Sequence, residues 1–112
     1  MGDRGQVYVK GAEVYLYTHW AASELEDTVR KALAKKWRWD DDEYLARIIF
    51  DTMTEGNRDE ETGFGIGSSR HGDVWLVIEV DPASQTVTVL KNGKASRDYS
   101  FEEFIQLKNK EE

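Results

Sequence analysis

Hydrophobic positions along this chain change period three times, and each change marks a passage between strands and helices. From Gln6 to Lys10 and from Glu13 to His19 the pattern alternates. Val14, Leu16 and Thr18 fall on one side, with Tyr15, Tyr17 and His19 on the other, which predicts two strands joined by a tight Gly11-Ala12 turn. The period then lengthens. Leu25, Val29, Ala32 and Leu33 share one face of a helix predicted from Glu24 to about Lys36, with Ser23 as its N-cap and Glu26 completing a capping box. Tyr44, Leu45, Ile48, Ile49, Thr52 and Met53 form the stripe of a second helix, from Asp41 to about Thr54. Asp40 is its expected cap, and Gly56-Asn57 stops it.

Alternation returns after residue 62. Gly63 to Ser68 reads as a glycine-weakened strand. Val74 to Val80 is apolar on both faces and belongs in the middle of a sheet. After a turn over Asp81 to Gln85 comes a strand from Thr86 to Leu90, with Val87 and Val89 inward. Asn92-Gly93 is the favoured two-residue hairpin turn, so Lys94 to Asp98 is expected to pair back as a charged edge. Ser100 with Glu103 caps a closing helix that aligns Phe101, Phe104, Ile105 and Lys108, and the tail Asn109–Glu112 is expected to fray. The expected fold is a single α+β domain over residues 1–112. It has two layers: a mainly antiparallel sheet of about five strands, and three helices on one face, in the order ββ-αα-βββ-α.

Composition narrows the function classes. The 112 residues fit one domain and carry four Trp, five Tyr and four Phe, too many large apolar groups for a disordered acidic chain. With no Cys, disulfides and thiolate metal sites are excluded. Met1 to Val9 lacks the apolar run of a signal peptide, and Val74 to Ile78 is too short to span a bilayer, so a cytoplasmic protein without membrane association is expected. The net charge of −7 opposes general nucleic-acid binding. It suits solubility, a basic protein partner or mimicry of a polyanion.

Four stretches are candidate sites. Tyr15, Tyr17 and His19 form an aromatic row. His19 and Trp20 then stand beside the first helix start, where backbone N–H groups favour an anion. Against this, aromatic residues are ordinary strand formers, and Trp20 can pack under the helix. Trp37-Arg38-Trp39 places a guanidinium between two indoles, or else plugs the corner between the helices. Gly63 to Gly67 followed by Ser68, Ser69, Arg70 and His71 lacks the strand–loop–helix context of a nucleotide fingerprint, but glycines permit close approach of a ligand. The acidic runs at Asp40–Glu43 and Asp59–Glu61 lack a calcium-loop layout.

The segments Val14 to Trp20, Trp39 to Phe50 and Glu61 to Ile66 resemble small uncharacterised proteins of bacteria and their phages. The resemblance implies a similar origin and transfers no activity.

The functional expectation is a binding protein without a cofactor. It would hold a protein partner or a small anionic ligand through Tyr15, Tyr17, His19, Trp20, Trp37, Arg38, Arg70 and His71, with a homodimer through the open sheet face or an edge strand as a further option. The rivals are a small hydrolase or phosphodiesterase using His19 and His71 as acid and base, and an acidic polyanion-mimic inhibitor.

Overall fold

The computed structural model describes residues 3–107 except 58, 60 and 62. The expected helical position of Lys108 and the expected frayed tail at Asn109–Glu112 lie outside them. The alternating segments form β1 (Gly5–Val9) and β2 (Val14–Thr18), and the longer-period segments form α1 (Leu25–Ala34) and α2 (Asp42–Met53). There follow β3 (Phe64–Gly67), β4 (Leu76–Asp81), β5 (Thr86–Lys91), β6 (Lys94–Ala95), β7 (Tyr99–Ser100) and α3 (Phe101–Gln106). The domain is α+β, with seven strands among the described residues rather than about five.

The sheet runs β3-β2-β1-β4-β5-β6, and β7 also pairs with β5. Every pairing is antiparallel except β1 with β4, which are parallel and in the centre. The placement of the apolar strand β4 in the sheet interior is as its sequence predicts.

One face carries α1, α2 and α3. Val7, Leu16, Ile78 and Val87 are buried against Leu25, Val29, Leu33, Leu45, Ile49, Phe101 and Phe104. Each such side chain contributes roughly 1.5–3 kcal/mol of transfer free energy. The helical layer sits close on β1: a Cβ on Gly5 would stand 2.9 Å from both Ala22 Cβ and Leu25 Cδ1. Only a glycine admits that approach.

The local signals were sound in kind and imperfect in register. The Ser100–Glu103 capping box forms with both of its hydrogen bonds. The Asp40 cap is realised one residue later, where the Asp41 carboxylate accepts from the Tyr44 N–H at 3.2 Å. The Ser23–Glu26 box does not form. Ala22–Glu24 make a 3₁₀ turn ahead of α1, and Glu24 at its N-cap makes no side-chain bond. Tyr44, expected on the buried stripe, is 49% exposed. The first turn is longer than Gly11-Ala12, since β1 and β2 close at the Val9–Val14 pair and leave a four-residue loop. Of the charged edge expected over Lys94–Asp98, Lys94–Ala95 alone forms a strand, β6, and the next pairing with β5, through β7, begins only at Tyr99. The Ser96 N–H still donates to the Val89 carbonyl at 2.8 Å, but the Ser96 hydroxyl takes the Val89 N–H at 3.0 Å in place of a backbone carbonyl, and the ladder lapses after it until Tyr99.

The second face of the sheet is not left open. To pass from β3 at one edge to β4 beside β1, residues 68–75 cross over β2 and β1. Gln6, 1% exposed, holds this strap. Its Nε2 donates to the Ser69 carbonyl at 3.2 Å, and its Oε1 accepts from the His71 N–H at 3.0 Å. Arg4 pairs with Asp73 at 2.6 Å and Arg70 with Glu79 at 3.8 Å. The middle of the face expected to be free for a homodimer is therefore covered by the chain itself. Among the described residues, no helix is long and apolar enough to cross a membrane.

Candidate functional site

Strand alternation puts Tyr15, Tyr17 and His19 on the strap side, because Leu16 and Thr18 are buried beneath the helices. Tyr15 stacks on Tyr8 with ring centroids 4.5 Å apart. Tyr17 stacks on His71 at 4.6 Å, and its hydroxyl lies 3.4 Å from His19 Nδ1. His19 meets Trp20 edge-on at 6.2 Å, and Trp20 meets Phe64 edge-on at 6.0 Å. A chain of five rings thus runs from the strap to the sheet edge and around it. Its interior members are half-buried, and Trp20 is 45% exposed.

Trp20 owes its position to backbone geometry. Gly63 adopts φ +108°, and its carbonyl accepts from the His19 N–H at 2.8 Å. A Cβ at Gly63 would stand 2.4 Å from the indole. The ring therefore lies directly on the Gly63 backbone and projects past the end of β2.

The helix start beside it is already occupied. The Ala21 N–H donates to Thr18 Oγ1, the Ala22 N–H to the Asp3 carbonyl, and the Ser23 N–H to Asp3 Oδ2 at 2.8 Å. Asp3 also accepts from the Trp75 indole at 2.8 Å. Hydrogen bonds from Ser23, with a smaller one from Trp75, hold the Asp3 carboxyl below its ordinary range against the opposing effect of burial. An aspartate of the same chain stands where the sequence suggested a bound anion.

On the helix side of Trp20 lies a cleft of about 530 Å³. It is bounded by the start of α1, the end of α2, the end of β2 and the start of β3. Thr18, Leu25 and Met53 lie deep in it, and Glu24, Asp27, Glu55 and Lys31 line it. Lys31 pairs with Glu55 at 3.4 Å and Asp27 with Arg30. Lys31 is the one cation among the described lining residues, so the lining is predominantly acidic.

No protein-family model matches this chain, and neither the curated proteins nor the solved structures yield a match. The site is therefore read from its own chemistry.

Of the residues singled out from sequence, the structure brings Tyr17, His19, Trp20 and His71 together and leaves Tyr15 next along the row. Arg70 sits on the strap beside Glu79. The Trp37 corner is elsewhere, at the far end of α1, about 15 Å away for ten helical residues. There Trp39 packs inward, donating from Nε1 to the Leu33 carbonyl at 3.1 Å and meeting Phe101 edge-on. Trp37 is 57% exposed with Lys35 over its ring, and Arg38 stacks on Tyr44. Each basic group already has an aromatic partner. Among the described residues, no cluster of His, Asp and Glu is arranged to hold a metal.

Sequence reasoning missed Gln6, Asp3, Phe64 and the carboxylates of the cleft. Gln6 carried one signal, a polar residue within an otherwise apolar strand. The convergence of Glu24, Asp27 and Glu55 carried none, since it arises only when α1 and α2 pack antiparallel.

Proposed function

We propose that this protein is a binding module that receives a lysine or arginine side chain of a protein partner in the cleft under Trp20. One observation carries the reading: a half-exposed indole overhangs a recess lined by Glu24, Asp27 and Glu55. An indole face attracts a guanidinium or ammonium by about 0.5–2 kcal/mol, and carboxylates add directional, charge-assisted hydrogen bonds. The net charge of −7 steers a basic partner towards the surface. The same features support the polyanion-mimic role, because a partner that normally holds phosphates presents such side chains. A small anion finds less support, with Asp3 already on the helix start.

The test is titration of isotope-labelled protein with arginine amide, following the Trp20 indole resonance. A saturable shift that weakens with salt and disappears in Trp20→Ala is expected. A shift of equal size with acetate or phosphate would refute the reading.

A second reading, acid–base phosphodiester chemistry, draws support from the contact that His19 and His71 each make with Tyr17. It calls for turnover of an activated phosphodiester that is abolished in His19→Ala and in His71→Ala. Turnover that survives either substitution removes it.

A further inference from the structure

The sheet has two edges, and they are built differently. The β6 edge is two residues long and carries Lys94, a charge that discourages further pairing. The β3 edge is Phe64-Gly65-Ile66-Gly67, with no charge and no proline. A Cβ on Gly65 or Gly67 would meet nothing within 4 Å, so the strand is bare on its strap-side face. Ile66, on the other face, is 62% exposed.

The hydrogen-bond phase of this edge follows from its register. β3 pairs with β2 as Phe64–Thr18, Gly65–Tyr17, Ile66–Leu16 and Gly67–Tyr15. The His19 N–H bonds to the Gly63 carbonyl, which makes His19–Gly63 a hydrogen-bonded pair. In an antiparallel ladder such pairs alternate, so Gly65 and Gly67 point their backbone groups at β2. Phe64 and Ile66 then point theirs outward, away from the sheet. A strand added at this edge would bond to Phe64 and Ile66, and its residues opposite them would project on the helix-bearing face. That is the face on which the acidic cleft opens, with Phe64 in its lining.

We infer that β3 is a docking edge for an extended segment of a partner protein carrying Lys or Arg at alternate positions. The backbone of the segment continues the sheet at Phe64 and Ile66, and a basic side chain enters the cleft below Trp20. Main-chain pairing supplies affinity and the cleft supplies selectivity, as in other strand-addition complexes. The inference rests on the cationic-cleft reading above. It adds the mode of engagement, and the choice of a basic segment follows from charge complementarity with Glu24, Asp27 and Glu55.

The test uses acetyl-Val-Arg-Val-Arg-Val-amide, the same peptide N-methylated on the amides that would face β3, a Val-Glu counterpart, and arginine amide. The parent peptide should slow hydrogen exchange of the Phe64 and Ile66 amides and shift the Trp20 indole. N-methylation should weaken binding by about tenfold, and the Val-Glu peptide should not bind. A Trp20 shift with unchanged Phe64 and Ile66 exchange, or an N-methylated peptide that binds equally well, overturns strand addition and leaves the cleft reading standing. Protection of Phe64 and Ile66 without any Trp20 response, or by the Val-Glu peptide, overturns the basic occupant. Protection that appears with rising protein concentration and no peptide assigns the edge to a second copy of the chain, and so overturns the proposal. If arginine amide and the parent peptide both leave Trp20 unmoved, the cleft reading itself fails.

Discussion

The indole of Trp20 occupies the space that a side chain on Gly63 would fill, with ring carbon Cζ2 2.4 Å from the position of that missing Cβ. The φ of +108° at Gly63 makes the same demand through the backbone. Gly63→Ala should therefore displace the ring and strain the turn together. Destabilisation of more than about 1 kcal/mol is expected in urea unfolding, along with a changed Trp20 indole resonance. A variant with unchanged stability and an unchanged indole would show that the contact does not position the ring.

Gln6→Leu keeps an apolar filling under the strap but leaves the Ser69 carbonyl and the His71 N–H without their partner. The expected cost is about 1–3 kcal/mol. Amide exchange at His71 should speed up selectively, because its N–H is the one Gln6 holds. Uniform acceleration across the sheet would instead mean that Gln6 acts through global stability alone.

Asp3 gives the fold a pH dependence of definite sign. Its carboxyl is held below the ordinary value of 3.8 by Ser23 and Trp75. The charged form is thus favoured in the folded state, and the stability it supplies is fully present above that value and fades as pH falls through the lower folded value. Asp3→Asn should flatten the acid limb of the stability profile below about pH 4. Parallel profiles for the two proteins would rule out this linkage.

Ser100→Ala removes the hydroxyl that accepts from the Glu103 N–H at 3.0 Å. Loss of such a cap costs about 0.5–2 kcal/mol. The effect should be concentrated in α3, read as faster exchange at Phe104 and Ile105 than at α2 amides.

The elements with strong periodicity were legible: β1, β2, β4, β5 and both long helices lie within a few residues of their expected bounds. Cap register was less so, because Asp40, Asp41 and Asp42 are chemically equivalent in sequence and only the backbone angles at Asp41 select one. Ser23 does not cap α1, and its own N–H is taken by a residue twenty positions earlier, Asp3, which no local pattern can signal. For the site, the aromatic row was visible through alternation, and Trp20 through its place after the strand. The acidic cleft and the strap were not, because both depend on where β3 and β4 insert relative to β1.

That insertion also governs the order in which the molecule can assemble. β1 is the first strand of the chain, yet its parallel neighbour β4 lies beyond both long helices and β3. The β1–β2 hairpin and the α1–α2 pair can form from neighbouring sequence. The central sheet cannot close until β4, at Leu76–Asp81 of the 112 residues, has been synthesised. A contact that distant is entropically slow to form, and until it does, β1 offers an unpaired apolar flank to any other strand nearby. The topology that buries Val7 and Ile78 completely thus makes nascent or truncated chains the aggregation-sensitive form of this protein.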